Sequence, residues 1–383
     1  MTGTRSVRAF LEASHLELAT RVEEIVGRRF LPLSPPADDA AARTAAPGLV
    51  AAMGEEGLLA GVAGPEPDLR ALCLIRERLA GASPLADALF ALQALGSMPI
   101  TLAGSTELRA RWLPEVAAGR AIAGFAMTEP DAGSDVGAIA TTARRDGGDY
   151  VLDGVKSFIS NAGIADFYCV FAAADRKQGT RGLACFVVPA GTPGLRFAAP
   201  YVLSEPHPLG ELVFDGCRVP AAARLGGEGE GFKLGMRALD LLRPTVAAAA
   251  CGMAARALGE AVAHARTRRQ FGAALADFQL IQAKIARMAT DLAAARLLTY
   301  LAAWERDRGA ERVTCEAAMA KLFATEAAQR VVDDAVQILG GRGVLAESPV
   351  DRLYRAVRAL RIYEGTSEIQ HLVIARELLR QEA

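Results

Sequence analysis

FQLIQAKIARMATDLAAARLLTYLAAW, residues 278–304, reads as one continuous helix. Phe278, Ile281, Ile285, Met288, Leu292, Ala295, Leu298 and Ala302 recur at spacings of three and four, which gathers them on a single apolar stripe. CEAAMAKLFATEAAQRVVDDAVQILGG (315–341) follows in the same idiom, and Gly340-Gly341 is a natural helix stop. A last helix is expected after Gly365, with Ser367 and Gln370 placed as a capping box. Residues 231–383 are therefore expected to form a helical domain, long enough for a four-helix bundle.

Working outward, residues 121–230 change character. The runs AIAGFAMT, YVLDGVKSFIS, FYCVFAAA, LACFVVPA and ELVFDGCRVP are short and β-prone, and turn signals such as RRDGGD, KQGTRG and AGTPG divide them. Most lack a helical crossover between them, which favours an antiparallel barrel or sandwich over a parallel α/β sheet. Residues 1–120 return to helix formers, as in SHLELATRVEEIVGRRF and ELRARWLPEVAAG, with breaks at LPLSPP (31–36) and GPEPD (64–68). The expected class is α+β, mainly α: an N-terminal helical domain (1–120), a middle antiparallel β-domain (121–230) and a C-terminal four-helix bundle (231–383). No internal repeat is found.

The 383 residues carry 43 Lys+Arg against 44 Asp+Glu, a formal net charge of -1. That balance argues against a chain built to coat nucleic acid or an anionic membrane. Six scattered cysteines (Cys73, Cys169, Cys185, Cys217, Cys251, Cys315) show no CxxC spacing and read as reduced apolar filler. Four histidines form no ligand pattern, so no metal site is expected. The N-terminus has no apolar run before a small-residue cleavage site, and no uncharged apolar run reaches the ~20 residues of a membrane helix. A cytoplasmic protein is expected.

Four stretches have chemical potential. AMTEPDAGSD (126–135) is a Gly- and Asp-rich loop that offers backbone N–H groups and the hydroxyls of Thr128 and Ser134; an ordinary Asx turn is the plainer reading. VKSFISNAG (155–163) sets Phe158 and Ser160 two apart, hence on one side of a strand, where an aromatic face and a hydroxyl suit a flat heterocycle; taken in isolation, a half-buried strand is the plainer reading. ARTRRQFG (265–272) ends an Ala-rich helix at Phe271-Gly272, and its arginines either complement the helix dipole or meet a phosphate. RIYEGTSEIQ (361–370) puts Glu364 on a loop just ahead of a helix, where it is either an N-terminal charge or an aimed carboxylate.

Taken together and in this order, the four stretches resemble the acyl-CoA dehydrogenase family of flavoenzymes. AMTEPDAGSD is similar to the family's first signature, QILGGRGVLAESPVDRLYRAVRALRIYEGTSEIQ to its second, and RRQFG sits between them at the usual place. The resemblance covers nearly the whole chain and implies the same three-domain order. It implies non-covalent FAD, with Phe125, Met127, Thr128, Gly133 and Ser134 along the flavin and pyrophosphate, and Phe158 and Ser160 against the ring near N5. Arg268, Gln270, Phe271 and Gln279 would approach the pyrophosphate and adenine end, as would Gln337, Gly340 and Gly341, while Thr366 and Glu368 would hold the phosphate and ribose side. A neighbouring subunit completes such sites in the family, which implies a homo-oligomer, a dimer or tetramer.

Glu364 matches the family's catalytic base. Desaturation of an acyl thioester removes an α-proton and a β-hydride. The α-proton is far less acidic than a carboxyl group of reference pKa ~4.3, so the enolate oxygen must be held by donors. In the family these are a flavin ribityl hydroxyl and the N–H of the catalytic Glu, and flavin N5 takes the hydride. Members that carry the base elsewhere have it on the helix matching ALDLLRPTV, where this chain has Leu242. Ser134, Asp240 and Arg243 match residues near bound acyl-CoA, and Tyr363 and Gly365 would flank the thioester; for Arg243 a salt bridge within the bundle is an equal reading.

Phe158 stands where many members have Trp, Ser160 where many have Thr, and Glu368 where some have Gln. Residues 31–90 are shortened, which leaves the acyl group open. The function implied is FAD-dependent α,β-dehydrogenation of an acyl-CoA, with electrons passed to an electron-transferring flavoprotein. The alternatives are an acyl-CoA oxidase or flavin monooxygenase of the same fold, or a catalytically silent flavin- or acyl-CoA-binding protein.

Overall fold

A computed structural model describes residues 4–64 and 67–381. Pro65 and Glu66 of the GPEPD break lie outside the described residues. The described chain contains ten α-helices: α1 (Ala13–Arg29), α2 (Asp39–Glu55), α3 (Leu69–Ala82), α4 (Pro84–Ala103), α5 (Thr106–Ala117), α6 (Gly231–Thr267), α7 (Gln279–Asp307), α8 (Thr314–Leu339), α9 (Pro349–Leu360) and α10 (Ser367–Gln381). Eight strands lie between α5 and α6: β1 (Ala123–Ala126), β2 (Thr142–Asp146), β3 (Asp149–Ser160), β4 (Phe167–Ala173), β5 (Leu183–Pro189), β6 (Leu195–Pro200), β7 (Leu209–Pro220) and β8 (Arg224–Leu225). The protein is mainly helical, with helical regions before and after the sheet.

The residues group into two compact units, one of 1–33, 68–87 and 240–383, the other of 34–67 and 88–239. In the first, α7 and α8 pack together and α8 also receives α9 and α10. Its core is built largely from small side chains, among them Ala250, Ala254, Ala257 and Ala261 of α6 and Ala320, Ala324, Ala327 and Ala328 of α8. Alanine gives the best helix propensity and lets helix backbones approach closely. The stripe of α7 is buried at Met288, Leu292, Ala295 and Ala302, whereas Phe278 stands just outside the helix as its N-cap. On α9, Val350, Leu353, Val357 and Leu360 are buried at spacings of three and four, each contributing roughly 1.5–3 kcal/mol.

In the second unit the sheet runs in the order β6-β7-β3-β2-β4-β5-β8, with β1 on β4. The long partners β3 and β7 are antiparallel, as are β4 and β5. β4 also takes β1 and β2 in parallel, because the chain reaches it by the long loop after β1 and the return from β3 rather than by hairpins. The five β-prone runs became β1, β3, β4, β5 and β7. The strands β2, β6 and β8 were unmarked because they are polar, exposed or only two residues long. Gln93 of α4 fixes the start of β1 by accepting from Ala123 N (2.8 Å) and donating to Ala121 O (2.7 Å). All six cysteines are buried and unpaired. The helices α4 and α6 are both long and apolar enough to cross a membrane, but each is mostly buried within the fold.

Candidate active site

Between α9 and α10 the chain turns through Arg361–Thr366. Glu364 (φ 53°) and Gly365 (φ 92°) are both left-handed there. For Glu that conformation costs on the order of 1–3 kcal/mol and needs outside support. Three side chains supply it. Arg243 Nε donates to Glu364 O (3.3 Å), Gln370 Nε2 donates to Glu364 O (3.3 Å) and Gly365 O (2.9 Å), and Lys321 Nζ donates to Gly365 O (2.7 Å). A Cβ at position 365 would come within 2.5 Å of Gln370 Nε2, so a side chain there would push aside the amide that holds both carbonyls. Both carbonyls are thus held from behind. The Glu364 N–H finds no acceptor among the described residues, and its carboxylate Oε2 is buried with no hydrogen-bond partner.

Burial pushes the Glu364 carboxyl above its usual pKa; Arg76, Lys321 and Arg243 oppose the rise and Asp87 adds to it. Lys321 is 0% exposed. Burial presses its ammonium down to about 8, with Glu364 pulling the other way. Arg243 is also buried and pairs with Asp240, whose second oxygen accepts from Thr314 Oγ1 at 3.0 Å. Arg243 is therefore committed to this loop and to Asp240. Burial raises the pKa of the Tyr363 hydroxyl, which faces the Arg76 guanidinium.

The expected capping box is displaced by one residue. Thr366 Oγ1, not Ser367, accepts from Ile369 N (3.3 Å), because α10 begins at Ser367 and so places its N-cap at 366. Ser367 Oγ instead donates to Glu326 (2.6 Å), which Arg361 also holds (2.7 Å), and Gln370 serves the Glu364 loop. Glu368 is exposed on the first turn.

The other expected residues of this unit lie at the surface. α6 ends at Thr267, earlier than Phe271-Gly272, which instead form the left-handed turn (φ 50° and 79°) of a two-residue-strand hairpin, Arg269–Gln270 against Ala273–Ala274. Phe271 is 97% exposed, and Arg268, Gln270 and Gln279 are exposed with it. Gln337, Gly340 and Gly341 are exposed at the end of α8, where Gly340 (φ 58°) is the C-cap.

In the second unit, Met127 and Thr128 follow β1 and are tied to β3: Lys156 Nζ donates to Met127 O (3.0 Å), and Ser157 N to Thr128 O (2.9 Å). Lys156 also meets Glu129 (2.7 Å), which accepts from Ala140 N (2.6 Å) and Thr141 N (3.0 Å). This buried pair closes the base of the AMTEPDAGSD loop and leaves Gly133 and Ser134 exposed at its tip. Phe125 packs on Phe171, with ring centroids 4.9 Å apart. Simple two-residue alternation does not govern Phe158 and Ser160: a bulge between Lys156 and Ile159 resets the register, and Phe158 takes φ 54°. The extra residue turns Phe158 outward, 60% exposed and stacked on Tyr201 at 4.7 Å, while Ser160 Oγ meets His207 Nε2 at 3.3 Å.

Sequence reasoning passed over Arg76, Asp87, Lys156, Glu129 and Lys321, and gave Gln370 a capping role rather than its hold on the Glu364 loop. A signal existed for the lysines: each is a lone cation in a run otherwise apolar or small, VKSFIS and AAMAKLFA. Among the described residues, three of the four non-glycine left-handed ones (Phe158, Phe271 and Glu364, with Asn161 the fourth) are residues singled out from sequence.

Against known proteins, residues 12–120 match the pattern described as acyl-CoA dehydrogenase, N-terminal domain, residues 124–217 the middle domain, and residues 229–379 the C-terminal domain. The chain is 40% identical over 314 residues to cyclohexane-1-carbonyl-CoA dehydrogenase of Geobacter metallireducens, covering 82% of each chain. It is 42% identical over 320 residues to a 3-(aryl)acrylate reductase of Clostridium sporogenes, covering 83% of this chain and 85% of the relative. Among solved structures, one described as the electron transferring flavoprotein of Acidaminococcus fermentans superposes with a TM-score of 0.92 at 35% identity, over 97% of this chain and 99% of the other.

Proposed function

The chain belongs to the acyl-CoA dehydrogenase family of flavoenzymes, and on that premise we propose that it desaturates an acyl-CoA between Cα and Cβ with Glu364 as the α-proton base. The observation that carries this is the buried, unpartnered Oε2 of Glu364 on a loop held through both of its carbonyls. In the reaction the α C–H bond breaks and Glu364 takes the proton. The β-hydrogen leaves with its electron pair, and the C=C bond forms. The free Glu364 N–H is positioned as a donor to the thioester oxygen as negative charge grows there, where one such donor is worth roughly 3–4 kcal/mol. The raised pKa makes the carboxylate a stronger base.

FAD is the cofactor of this family, and when bound it accepts the electron pair. The donor set fits such a group. Within the second unit, Phe158, 60% exposed, and the hydroxyl and backbone donors at Thr128, Gly133 and Ser134 suit a flat ring and its phosphates; within the first, the exposed Phe271, Arg268 and Gln270 suit a pyrophosphate. Those residues would hold it.

The likeness to a structure described as an electron transferring flavoprotein supports such a protein as the electron acceptor. The exposed Phe271 and Leu280 support a homo-oligomer, and six buried free cysteines are compatible with a reducing, cytoplasmic location. A relative named a reductase supports a second reading, the reverse step, in which a reduced flavin would supply the β-hydride and protonated Glu364 the α-proton to an enoyl ester. Anaerobic addition of acyl-CoA esters is expected to bleach the bound flavin. Glu364→Gln is expected to keep FAD and to slow bleaching by about 10²–10⁴-fold. Full-rate bleaching by that variant would remove Glu364 as the base.

A further inference from the structure

The end of β3 carries a side-chain contact that the proposed chemistry does not use. Ser160 Oγ lies 3.3 Å from His207 Nε2. Both residues belong to the second unit, as do all those that hold them. The backbone on either side is fixed without this contact. Asn161 N donates to Pro208 O (2.8 Å), and Arg43 of α2 donates to Ala162 O (2.5 Å) and to Leu209 O (2.6 Å). The pair is therefore held in place by its surroundings and is not needed to hold them.

It borders the exposed Phe158. Ser160 is in register with Leu209, Tyr201 N donates to Leu209 O (3.0 Å), and the Tyr201 ring stacks on Phe158 at 4.7 Å. Ser160 and His207 both keep part of their surface open. The hydroxyl, the imidazole and the aromatic face thus share one patch of the unit.

Burial holds the His207 imidazole down at about 4, with Asp39 pulling it up and Arg43 pushing it down, so the ring is neutral near pH 7. A neutral imidazole has one N–H and one bare nitrogen. With Nε2 protonated, His207 donates to Ser160 Oγ and leaves the Ser160 O–H free to donate outward. With Nε2 bare, His207 accepts from the Ser160 O–H and leaves the Oγ lone pairs free to accept from outside. Ser160 can thus serve a ligand atom that changes from acceptor to donor, with no charge left behind. Flavin chemistry makes that change: the ring nitrogen that takes the hydride is bare before and carries N–H after.

We propose that His207 is a positioning residue: it lets Ser160 donate to the hydride-accepting nitrogen of the oxidised flavin and accept from it after reduction, and so stabilises the reduced form. The inference rests on the reading that the flavin ring lies against Phe158.

The test reads the flavin itself, by midpoint potential and visible spectrum of the FAD-loaded protein. His207→Phe strands the Ser160 proton in the reduced state. It should weaken reduced relative to oxidised flavin about tenfold, which is a drop of ~30 mV for the two-electron couple. In a Ser160→Ala background the same substitution should change nothing, since His207 acts only through that hydroxyl. His207→Gln, whose amide both donates and accepts, should stay within about twofold of wild type. Nitrogen NMR of the wild type is the second measurement and decides the matter if His207→Phe fails to load FAD. With His207→Gln assigning the signal among the four histidines, flavin reduction should move Nε2 from the protonated to the bare form. A potential that His207→Phe leaves within about twofold of wild type, an equal drop in the Ser160→Ala background, or one tautomer in both flavin states would overturn the inference. If Phe158→Ala leaves FAD affinity and spectrum unchanged, the ring does not lie there and the inference falls with that reading. A spectrum changed by Phe158→Ala beside a silent His207→Phe would refute the role of His207 alone.

Discussion

Each compact unit buries one lysine behind a functional loop, and the two lysines are wired differently. Lys156 holds the carbonyl of Met127 and has its own counter-ion, Glu129, which is bound in turn by the N–H groups of Ala140 and Thr141. Lys321 holds the carbonyl of Gly365 and is given no hydrogen-bonded carboxylate of its own; the anion acting on it most strongly is Glu364. Burial brings both ammonium groups down to about 8. A lysine with a private counter-ion is electrostatically closed and can only build its loop. A lysine whose principal anion is the proposed base is coupled to the chemistry proposed for it.

The largest stability effect is expected at the closed pair. Lys156→Met leaves Glu129 buried without its cation and should cost about 3–5 kcal/mol in urea unfolding, with loss of FAD from purified protein. Glu129→Gln added to it should recover most of that loss, because the penalty belongs to the stranded charge. A double variant no more stable than Lys156→Met would show that the lysine acts alone. The pH sign follows from the low folded-state pKa of Lys156. Between pH ~8 and the unfolded value of ~10.4 the unfolded chain binds the extra proton, so stability contributed through Lys156 rises with pH across that window, and Lys156→Met should flatten it.

At the open lysine the cost should move from stability to rate. Lys321→Met deprives a buried carbonyl of one of two donors, at about 1–3 kcal/mol. Its larger effect should be on kcat, about 10²-fold if the Glu364 carboxylate shifts by an ångström. Arg76, Arg243 and Lys321 all lower the Glu364 pKa and Asp87 raises it, so removing Lys321 should move the acid limb of the kcat profile to higher pH. Lys156→Met, where it folds, should leave that limb in place. A Lys321→Met enzyme with an unmoved limb would mean that the two lysines are alike after all.

The difference also marks what could be read from sequence. The α7 stripe, the glycine stop at Gly340 and the loop carrying Glu364 were legible because they depend on local periodicity and turn chemistry. The bulge at Phe158 was not, since an extra residue in a strand leaves the alternation of the sequence looking intact. Nor was the support of the site, because Lys321 is 44 positions from Gly365 and Arg76 is 169 from Thr245; only the fold brings such pairs together. Lone cations in apolar runs were the visible trace of both lysines.

The smallest effect tests whether the loop is held by Lys321 or by the helix that follows it. Thr366 caps α10 immediately after Gly365, so losing the cap frays the helix at the point where the loop enters it. Thr366→Ala should cost about 1 kcal/mol, the usual value of an N-cap hydroxyl. If the donors on the two carbonyls hold Glu364, kcat and its pH limb should stay near wild type, since Lys321, Arg243 and Gln370 remain in place. Ser367→Ala is the matched control: it removes the hydroxyl from Glu326 and leaves the cap. A Thr366→Ala enzyme that loses as much kcat as Lys321→Met would move the control of the base from the lysine to the helix terminus.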